Sequence, residues 1–361
     1  MVKQGTKLYL CVDAGGTKVQ CVVMNERGEV GTATGGPCNV KSIGPEEALR
    51  NIVRTSFAAL QHLPGQPLLI PVNKADLHEP LHLELFERVW LGVAGILRDS
   101  EISAFRPLAA KALGFDPADD RLRITNDGHL LAAPAVSLRQ IVSTVVLVAG
   151  TGSVSLAFRK VGTALRLVGL SGGWGFLIGD EGSAFHVGKL AMRRLMFAAD
   201  ATSPSTSALP SPLLPIFSSL LERLGASDPA DMIDRIYSDH SPSPSTFSSA
   251  ETRRKLWIAD ASRVVFRYAY EDPAVDRESR EMAVAILEEA IQPLVDATIH
   301  LLGYGLDPKQ SSLSLGGGLW NSAGYTELLL RSLGERGVEF AHVATVKSAA
   351  EEGAKALLAL G

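Results

Sequence analysis

Two stretches of the chain share one pattern, an apolar strand, a glycine turn and a second strand. They are "YLCVDAGGTKVQCVV" at residues 9–23 and "TVVLVAGTGSVSLAFRK" at residues 144–160. Two apolar runs joined by a glycine-containing turn predict a β-hairpin. Aligning "VDAGGTKVQCVV" with "LVAGTGSVSLAF" indicates a duplicated unit, and chance similarity of two hairpins is the alternative. A duplicated unit predicts two domains of similar plan.

Chain length and composition agree with two soluble domains. The 361 residues exceed the roughly 250 to 300 at which a single core stops growing. With 46% hydrophobic residues, 20% charged residues and a net charge of -4, the chain has the composition of a globular protein. The 35 Lys and Arg against 39 Asp and Glu give no basic excess, so we expect no nucleic-acid partner. Apolar runs such as "IVSTVVLVAG" are shorter than the ~18 residues of a membrane span, so we expect no membrane partner.

The cysteines and the start of the chain predict a cytoplasmic protein. Cys11, Cys21 and Cys38 are odd in number and lie in the first part of the chain, which favours reduced, buried thiols over a disulfide framework. The apolar stretch from Leu8 to Val12 ends at Asp13 and is too short for a secretory signal.

The periodicity beyond the first hairpin alternates between strand and helix. The first hairpin and the turn "NERGEV" predict an antiparallel meander, and an amphipathic helix begins at Pro45. The other predicted elements are strands at 88–96, 121–128 and "SSLSL", and helices at 100–113, 183–199, 251–304 and 347–359. This order predicts an α/β fold.

Two stretches stand apart from this alternation. Residues 201–249 are rich in Ser and Pro and are predicted to form surface loops around short helices. Residues 62–86 are predicted to be a surface insertion. Within them, residues 78–82 fit the zinc motif H-E-x-x-H by letter, but Pro80 breaks the helical turn that would align the two histidines. We therefore expect no zinc site there.

The glycine turns predict an anion site. Glycine lets backbone N–H groups approach a phosphate closely, and a third glycine cluster follows the strand "SSLSL". Asp13 adds a carboxylate suited to hydrated Mg²⁺, and Thr17 and Lys18 add a hydroxyl and a cation. The chain has neither the P-loop pattern nor a dinucleotide-binding G-x-G-x-x-G after a strand.

Two acidic segments complete the set of candidates. Asp127 closes a strand, where ligands of α/β sheets bind, although a plain turn aspartate is the alternative. The segment "GGWGFLIGDEGSA" at 172–184 combines Trp174 with two acids among glycines. An aromatic face with carboxylates suits a polyhydroxylated ring, and the alternative is that Asp180 and Glu181 only favour a helix N-terminus.

Taken in order, five segments resemble the sugar-kinase/actin/chaperone ATPase superfamily, and within it the BadF-type ATPases. They are "DAGGTK" (13–18), "TNDG" (125–128), "AGTGS" (149–153), "GGWGFLIGDEGSA" (172–184) and "LGGGLWNS" (315–322). The resemblance implies a two-lobed, duplicated actin-like (ribonuclease H-like) α/β fold with the active site in the interdomain cleft. Residues 1–130 would form the first lobe, completed by 346–361, and residues 131–345 would form the second.

The resemblance also implies ATP and Mg²⁺ as cofactors and a small sugar as substrate. It makes Asp127 the catalytic base and Asp13 the metal ligand. The implied sugar-binding residues are Asn39, Asp127, Gly173, Trp174, Gly175 and Asp180. The implied nucleotide-binding residues are Gly15, Gly16, Thr17, Lys18, Gly150, Thr151, Gly152, Gly317 and Asn321. The implied reaction is phosphorylation of the 6-hydroxyl of N-acetylglucosamine in amino-sugar metabolism.

Several alternatives stay open at this stage. A glucokinase or a glucosamine kinase would share the fold, and a pocket that accepts an acetamide can also accept glucose. A non-catalytic sugar sensor would share the binding residues. An iron–sulfur ATPase needs cysteine ligands near a subunit interface, and a sugar-responsive transcription factor needs a helix-turn-helix. The sequence favours neither. The oligomeric state is open, with a homodimer as one option.

Overall fold

The computed structural model describes residues 7–65, 86–96, 98–201, 213–238 and 250–360. The zinc-like stretch at 78–82, most of the 62–86 insertion and two parts of the Ser/Pro-rich region lie outside the described residues. Within the described part of that region, the short helices that the sequence predicts are present.

The first sheet has five strands and begins with the predicted meander. Its strands are β1 (Leu8–Ala14), β2 (Val19–Asn25), β3 (Val30–Gly35), β4 (Phe86–Val93) and β5 (Leu122–Thr125), in the order β3-β2-β1-β4-β5. The pairs β1–β2 and β2–β3 are antiparallel, whereas β1–β4 and β4–β5 are parallel. The parallel strands β1, β4 and β5 therefore bring their carboxyl ends to one edge of the sheet.

The second sheet has the same plan. Its strands are β6 (Ser143–Ala149), β7 (Ser153–Val161), β8 (Ala164–Gly172), β9 (Ser311–Gly316) and β10 (His342–Val346), in the order β10-β9-β6-β7-β8. Read from its other end, β8-β7-β6-β9-β10, this order matches that of the first sheet, with β6 and β7 in the places of β1 and β2. The α/β prediction is confirmed, and the matching orders are those expected of a duplicated unit.

Helices occupy most of the remaining described chain. They are α1 (Val40–Ile43), α2 (Pro45–Gln61), α3 (Asp99–Leu113), α4 (Pro134–Ser137), α5 (Ala184–Ala201), α6 (Pro215–Leu224), α7 (Pro229–Tyr237), α8 (Ala250–Asp260), α9 (Ser262–Phe266), α10 (Arg277–Leu302), α11 (Ala323–Glu335) and α12 (Ala349–Leu360). Among the helices that the structure describes, none combines the length and the apolar character that crossing a membrane requires.

Alternation along β1 explains why the first sheet is covered on both faces. Leu8, Leu10 and Val12 pack in one core with residues of α2 and α3. Tyr9 and Cys11, which point to the other face, pack in a second core with residues of α12. The contact with α12 is close, because a Cβ built at Gly353 would lie within van der Waals overlap of the Cys11 sulfur.

The chain separates into two compact units. Unit 1 comprises residues 1–144, 158–166 and 346–361, and unit 2 comprises residues 145–157 and 167–345. The alanine-rich helix α12 thus packs within unit 1. The functional lobes expected at 1–130 and 131–345 stay a prediction.

Candidate active site

The first glycine turn joins β1 to β2 and exposes its polar side chains. The N–H of Gly15 donates to the carbonyl oxygen of Lys18 at 3.0 Å, which closes the turn. Gly16, Thr17 and Lys18 are exposed beyond that bond. The turn therefore exposes a hydroxyl and an ammonium group, which are the groups that the predicted phosphate site would use.

Asp127 lies where β5 ends, at the start of a short 3-10 helix (Asp127–Ala132). Asn126 caps this helix, since its side-chain oxygen accepts from the N–H of Gly128 at 3.0 Å. The Asn126 amide nitrogen donates to the carbonyl oxygen of Ile96 at 2.9 Å, which anchors the cap to the segment after β4. Two hydrogen bonds from one cap residue thus fix the backbone that carries the Asp127 carboxyl group.

Gly92 on β4 makes room for this arrangement. It pairs with Asp13 on β1 and with Thr125 on β5. A Cβ built at Gly92 would lie 2.5 Å from the Leu130 side chain and 3.2 Å from the Cα of Asp127. Glycine at this position therefore allows the 3-10 helix to approach the strand ends, where Asp13 and Asp127 meet.

The two carboxyl groups are close enough to repel each other. Burial and, to a smaller extent, the charge of Asp127 together raise the pKa of Asp13 to about 6, against the opposing charge of Lys18. Burial also raises the pKa of Asp127, against hydrogen bonds to the backbone N–H groups of Gly128 and Asp127 itself. The negative charge of two half-buried carboxylates exceeds the positive charge of the one exposed lysine, Lys18, that opposes it. This excess of negative charge fits a site for a cation.

The donor set fits Mg²⁺ in particular. Magnesium prefers oxygen ligands and is held by one or two carboxylates, with waters and substrate phosphates completing its shell. Among the described residues, no group of three or more His, Cys, Asp or Glu side chains could enclose a metal ion. Asp13 and Asp127 thus offer the partial shell that a phosphate-bound magnesium ion needs.

Replacing Asp13 by asparagine is expected to stabilise the ligand-free protein at neutral pH. The pKa of Asp13 is higher in the folded chain than its ordinary value of 3.8, so the stability from its protonated form is complete below about pH 4 and is lost as pH rises through about 6. Asp13→Asn should therefore raise the free energy of unfolding at pH 7.5 by about 1 to 3 kcal/mol. Urea denaturation at pH 7.5 and pH 4 measures this.

The gain should disappear at pH 4, where the native carboxyl group is already protonated. Glu26→Gln is the matched control, because Glu26 is an exposed acid in the turn after β2. Equal or lower stability of Asp13→Asn at both pH values would contradict the charge repulsion described above.

Asn39 lies beside the first turn. It caps α1, with its side-chain oxygen accepting from the N–H of Lys41 at 3.0 Å. Its neighbours bind the ends of the central strands, since the N–H of Cys38 donates to Gly15 and the N–H of Val40 donates to Ala94. The structure therefore brings Asn39 to the same edge of the sheet as the first glycine turn.

The second glycine turn joins β6 to β7 and contacts the third glycine cluster. The N–H of Gly150 donates to the carbonyl oxygen of Gly152 at 2.9 Å, and the N–H of Ala184 donates to Gly150 at 2.8 Å. Gly317 has a φ of 101°, and a Cβ built there would lie 2.5 Å from the carbonyl oxygen of Ala149. Within unit 2 the predicted phosphate and adenosine motifs are thus in direct contact.

A cavity of about 1000 Å³ opens beside these glycines in unit 2. Its lining residues are Gly150, Thr151, Ala184, Leu256, Trp257, Ala259, Asp260, Ser262, Arg263, Phe266, Glu271, Gly318, Leu319, Asn321 and Ser322. Three of them, Gly150, Thr151 and Asn321, are predicted nucleotide-binding residues. The apolar wall with a few polar groups is typical of a site for a small organic ligand.

Sequence reasoning missed the wall of this cavity that comes from α8, α9 and the π-helical turn Arg267–Glu271. These residues follow an ordinary helical pattern, without a glycine or an acid at a strand end. A π-helical turn is itself a frequent mark of a functional site, but no sequence pattern indicated one here.

The segment 172–184 divides into an exposed half and a buried half. Gly173 binds β7 through its N–H, which donates to the carbonyl oxygen of Ser153 at 3.2 Å, and Gly173 and Gly175 both have positive φ. Trp174 is 63% exposed. A further cavity of about 410 Å³ borders Trp174 and is also lined by Glu181, Asp296 and His300. An exposed ring beside polar groups suits contact with a sugar.

Asp180 lies in the buried half and is 4% exposed. One carboxylate oxygen accepts from the N–H of Ser153 at 3.1 Å, and the other accepts from the ammonium group of Lys255 at 2.7 Å. The structure therefore places the Asp180 carboxylate against the second glycine turn rather than beside Trp174. Lys255, on α8, is absent from the sequence predictions.

All three cysteines are free and buried, as the sequence predicts. Burial raises the pKa of the Cys21 thiol to about 12, and the thiol of Cys38 shifts to the same value for the same reason. None of the three is placed to ligate a surface cluster of iron and sulfur.

Residues 10–359 match the sequence profile of the BadF/BadG/BcrA/BcrD ATPase family. The chain belongs to this family. ATP is the nucleotide that the name BadF/BadG/BcrA/BcrD ATPase indicates, and the cavity beside the glycines of unit 2 is the candidate place for its nucleoside.

Relatives with curated names are similar over almost the whole chain. The N-acetyl-D-glucosamine kinase of Dictyostelium discoideum is 24% identical over 331 residues, covering 91% of each chain. The N-acetylmuramic acid/N-acetylglucosamine kinase of Clostridium acetobutylicum is 25% identical over 323 residues, covering 88% of this chain and 87% of the relative.

Solved structures show the same fold. A candidate N-acetylglucosamine kinase from Porphyromonas gingivalis superposes with a TM-score of 0.57 at 18% identity and covers 98% of each chain. Another from Chromobacterium violaceum gives a TM-score of 0.55 at 21% identity, covering 97% of this chain and 99% of that one. The two-sheet architecture described above is therefore the fold of these two solved structures.

Proposed function

We propose that this protein transfers the γ-phosphoryl group of ATP to the 6-hydroxyl of N-acetylglucosamine, in amino-sugar metabolism in the cytoplasm. The observation that carries the proposal is the pair Asp13 and Asp127 at the carboxyl ends of β1 and β5, the two strands that flank β4. Asp13 lies beside the phosphate turn, and Asp127 lies on a capped 3-10 helix. The sugar is inferred from the relatives, since the names of both curated proteins include N-acetylglucosamine kinase.

Asp127 has the position and the environment of a general base. Phosphoryl transfer to a hydroxyl requires a group that accepts the hydroxyl proton as the bond to phosphorus forms. Burial raises the pKa of Asp127 above its ordinary value, and a raised pKa makes its carboxylate a better proton acceptor than an exposed one. The Asn126 cap holds this carboxylate in place.

The glycine turns and Asp13 have the complementary task of holding the phosphates. Thr17, Lys18 and Thr151 are exposed at the two turns and can bind phosphate oxygens. Asp13 would hold Mg²⁺ beside them, and the ion when bound neutralises charge on the transferring group. Asn321 lines the cavity of unit 2, and Gly317 directly precedes the lining residue Gly318. The adenosine would bind there.

Sugar recognition is assigned to Asn39, near the start of the chain, and to the segment 172–184. Asn39 would bind sugar hydroxyls beside the first turn. Gly173, Trp174 and Gly175 would contact the ring and its acetamide, because the exposed tryptophan ring offers an apolar face and the glycine backbone offers hydrogen-bonding groups. Asp180 belongs to the same segment, and since its buried carboxylate binds Ser153 and Lys255, it would hold the segment rather than contact the sugar.

A coupled ADP-release assay with magnesium and ATP tests the proposal. N-acetylglucosamine, glucose, glucosamine and N-acetylmannosamine are compared, and the product is identified by mass spectrometry. We expect sugar-dependent ADP release that is fastest with N-acetylglucosamine and yields a 6-phosphate. Faster turnover of glucose or glucosamine would show that this sugar, and not N-acetylglucosamine, is the preferred substrate. Sugar binding without ADP release would indicate a sensor.

A further inference from the structure

Lys255 and Asp180 form an ion pair that the proposed mechanism does not use. The ammonium nitrogen lies 2.7 Å from the Asp180 carboxylate, and the side chains of Lys255 and Asp180 are 22% and 5% exposed. The same ammonium group lies 5.7 Å from the centre of the Phe176 ring, within the range of a cation–π contact. This pair is shielded from water, unlike most ion pairs in the described chain.

The backbone at Asp180 is strained, which shows that its placement is held by its surroundings. Its φ of 66° is positive, and no other non-glycine residue in the described ranges has a positive φ. Such a conformation costs about 1 to 3 kcal/mol and persists only where neighbouring contacts enforce it. The contacts with Ser153 and Lys255 supply that enforcement.

The pair connects three parts of the site within unit 2. Asp180 belongs to the segment proposed to bind sugar, and its other oxygen binds the N–H of Ser153 in the phosphate turn. The Asp180 carboxylate also lies against Gly152, since a Cβ built at this glycine would lie 2.7 Å from the nearer carboxylate oxygen. Lys255 belongs to α8, and the next two residues, Leu256 and Trp257, line the nucleotide cavity.

We propose that Lys255 is a positioning residue that couples occupancy of the nucleotide cavity to the conformation of the sugar segment. A nucleoside packed on Leu256 and Trp257 holds α8 in place, and α8 then holds the Asp180 carboxylate through Lys255. Because such coupling is reciprocal, the sugar increases nucleotide affinity by the same factor. This inference rests on the proposed function.

Isothermal titration calorimetry with a non-hydrolysable ATP analogue, AMPPNP, tests the coupling in the presence of magnesium. We expect N-acetylglucosamine to increase AMPPNP affinity of the unaltered protein by about tenfold. Lys255→Met should reduce that factor to below about twofold while changing AMPPNP affinity without sugar by no more than about threefold. Lys255→Arg, which keeps the cation, should retain most of the coupling.

Two further variants separate coupling from folding. Removing only Lys255 leaves a buried carboxylate without a cation, which can destabilise the fold. Asp180→Asn with Lys255→Met removes both charges, and it should fold and show no coupling. Arg194→Met is the matched control, since Arg194 pairs with Glu289 at 2.6 Å on the exposed surface of the same unit.

The outcomes distinguish this inference from the proposed function. If the unaltered protein binds AMPPNP and sugar, and Lys255→Met keeps the tenfold factor, the coupling role of Lys255 is wrong and the kinase stands. If the unaltered protein binds both ligands independently, the inference is also wrong. If it binds AMPPNP but none of the four sugars, the proposed function is wrong and the inference is removed with it.

Discussion

Asp127→Asn is expected to lower kcat for N-acetylglucosamine by about 10³-fold, within the range that general-base catalysis contributes. Asparagine preserves the size of the side chain and can still accept the N–H of Gly128, so the 3-10 helix keeps its geometry. It has no basic oxygen that can take the proton of the sugar hydroxyl. The affinity for AMPPNP should remain within about twofold, since the residues that line the nucleotide cavity belong to unit 2 and Asp127 belongs to unit 1.

Steady-state kinetics at saturating ATP and calorimetry with AMPPNP measure the two halves of this prediction. Asp120→Asn is the control, because Asp120 is an exposed acid a few residues before β5. Unchanged kcat in Asp127→Asn would remove Asp127 from the role of base. Loss of both kcat and AMPPNP binding would instead indicate damage to the fold.

Gly317→Ala is expected to weaken AMPPNP binding by about 30-fold or more and to lower Tm by about 5 °C. Two independent costs act at this position. A φ of 101° is unfavourable for alanine, and the new Cβ would meet the carbonyl oxygen of Ala149 at 2.5 Å and its carbon at 2.7 Å. These neighbours are backbone atoms of β6, so they cannot rotate away, and the glycine cluster must move off the strand that carries the second phosphate turn.

Gly334→Ala provides the control for this substitution. Gly334 lies in α11, its φ is not positive, and a Cβ built there meets no atom within 4 Å. Alanine favours helix over glycine by up to about 1 kcal/mol, so this variant should equal or exceed the parent in Tm and bind AMPPNP normally. Normal AMPPNP affinity in Gly317→Ala would show that the glycine cluster can shift without disturbing the nucleotide cavity.

Sequence patterns predicted the elements whose causes are local. The hairpins β1–β2 and β6–β7 follow from alternating apolar residues on either side of a glycine turn, and α2 follows from its proline start and amphipathic spacing. The place of Asp127 at a strand end could also be predicted, because it directly follows the apolar pattern of β5. Short apolar periodicity did not reveal β8 and β10, since only one of the nine residues of β8 is buried and β10 has only five residues.

Contacts between distant segments could not be predicted. Lys255 and Asp180 are 75 residues apart, and nothing in the helical pattern of α8 distinguishes Lys255 from its neighbours. The orientation of Asp180 could not be predicted either. Its sequence context suggested a sugar contact, whereas in the structure its side chain is buried, its φ is positive and its carboxylate accepts from the N–H of Ser153. Such features depend on which helix covers which turn, and that is decided by the packing of the whole unit.

The two sheets share one strand order, but the two halves of the chain differ in the residues at the ends of the corresponding strands. In the aligned hairpins, the position of Asp13 is occupied by Val148 in the second half, and β10 is followed by Lys347 and Ser348 where β5 is followed by Asn126 and Asp127. Only the first copy carries the acid pair, and the second copy carries the large cavity. Under the proposed function, divergence after duplication placed the acid pair on the first copy and the nucleoside cavity on the second. Substitutions that alter which ligand the second copy accepts can accumulate without disturbing the charged groups of the first.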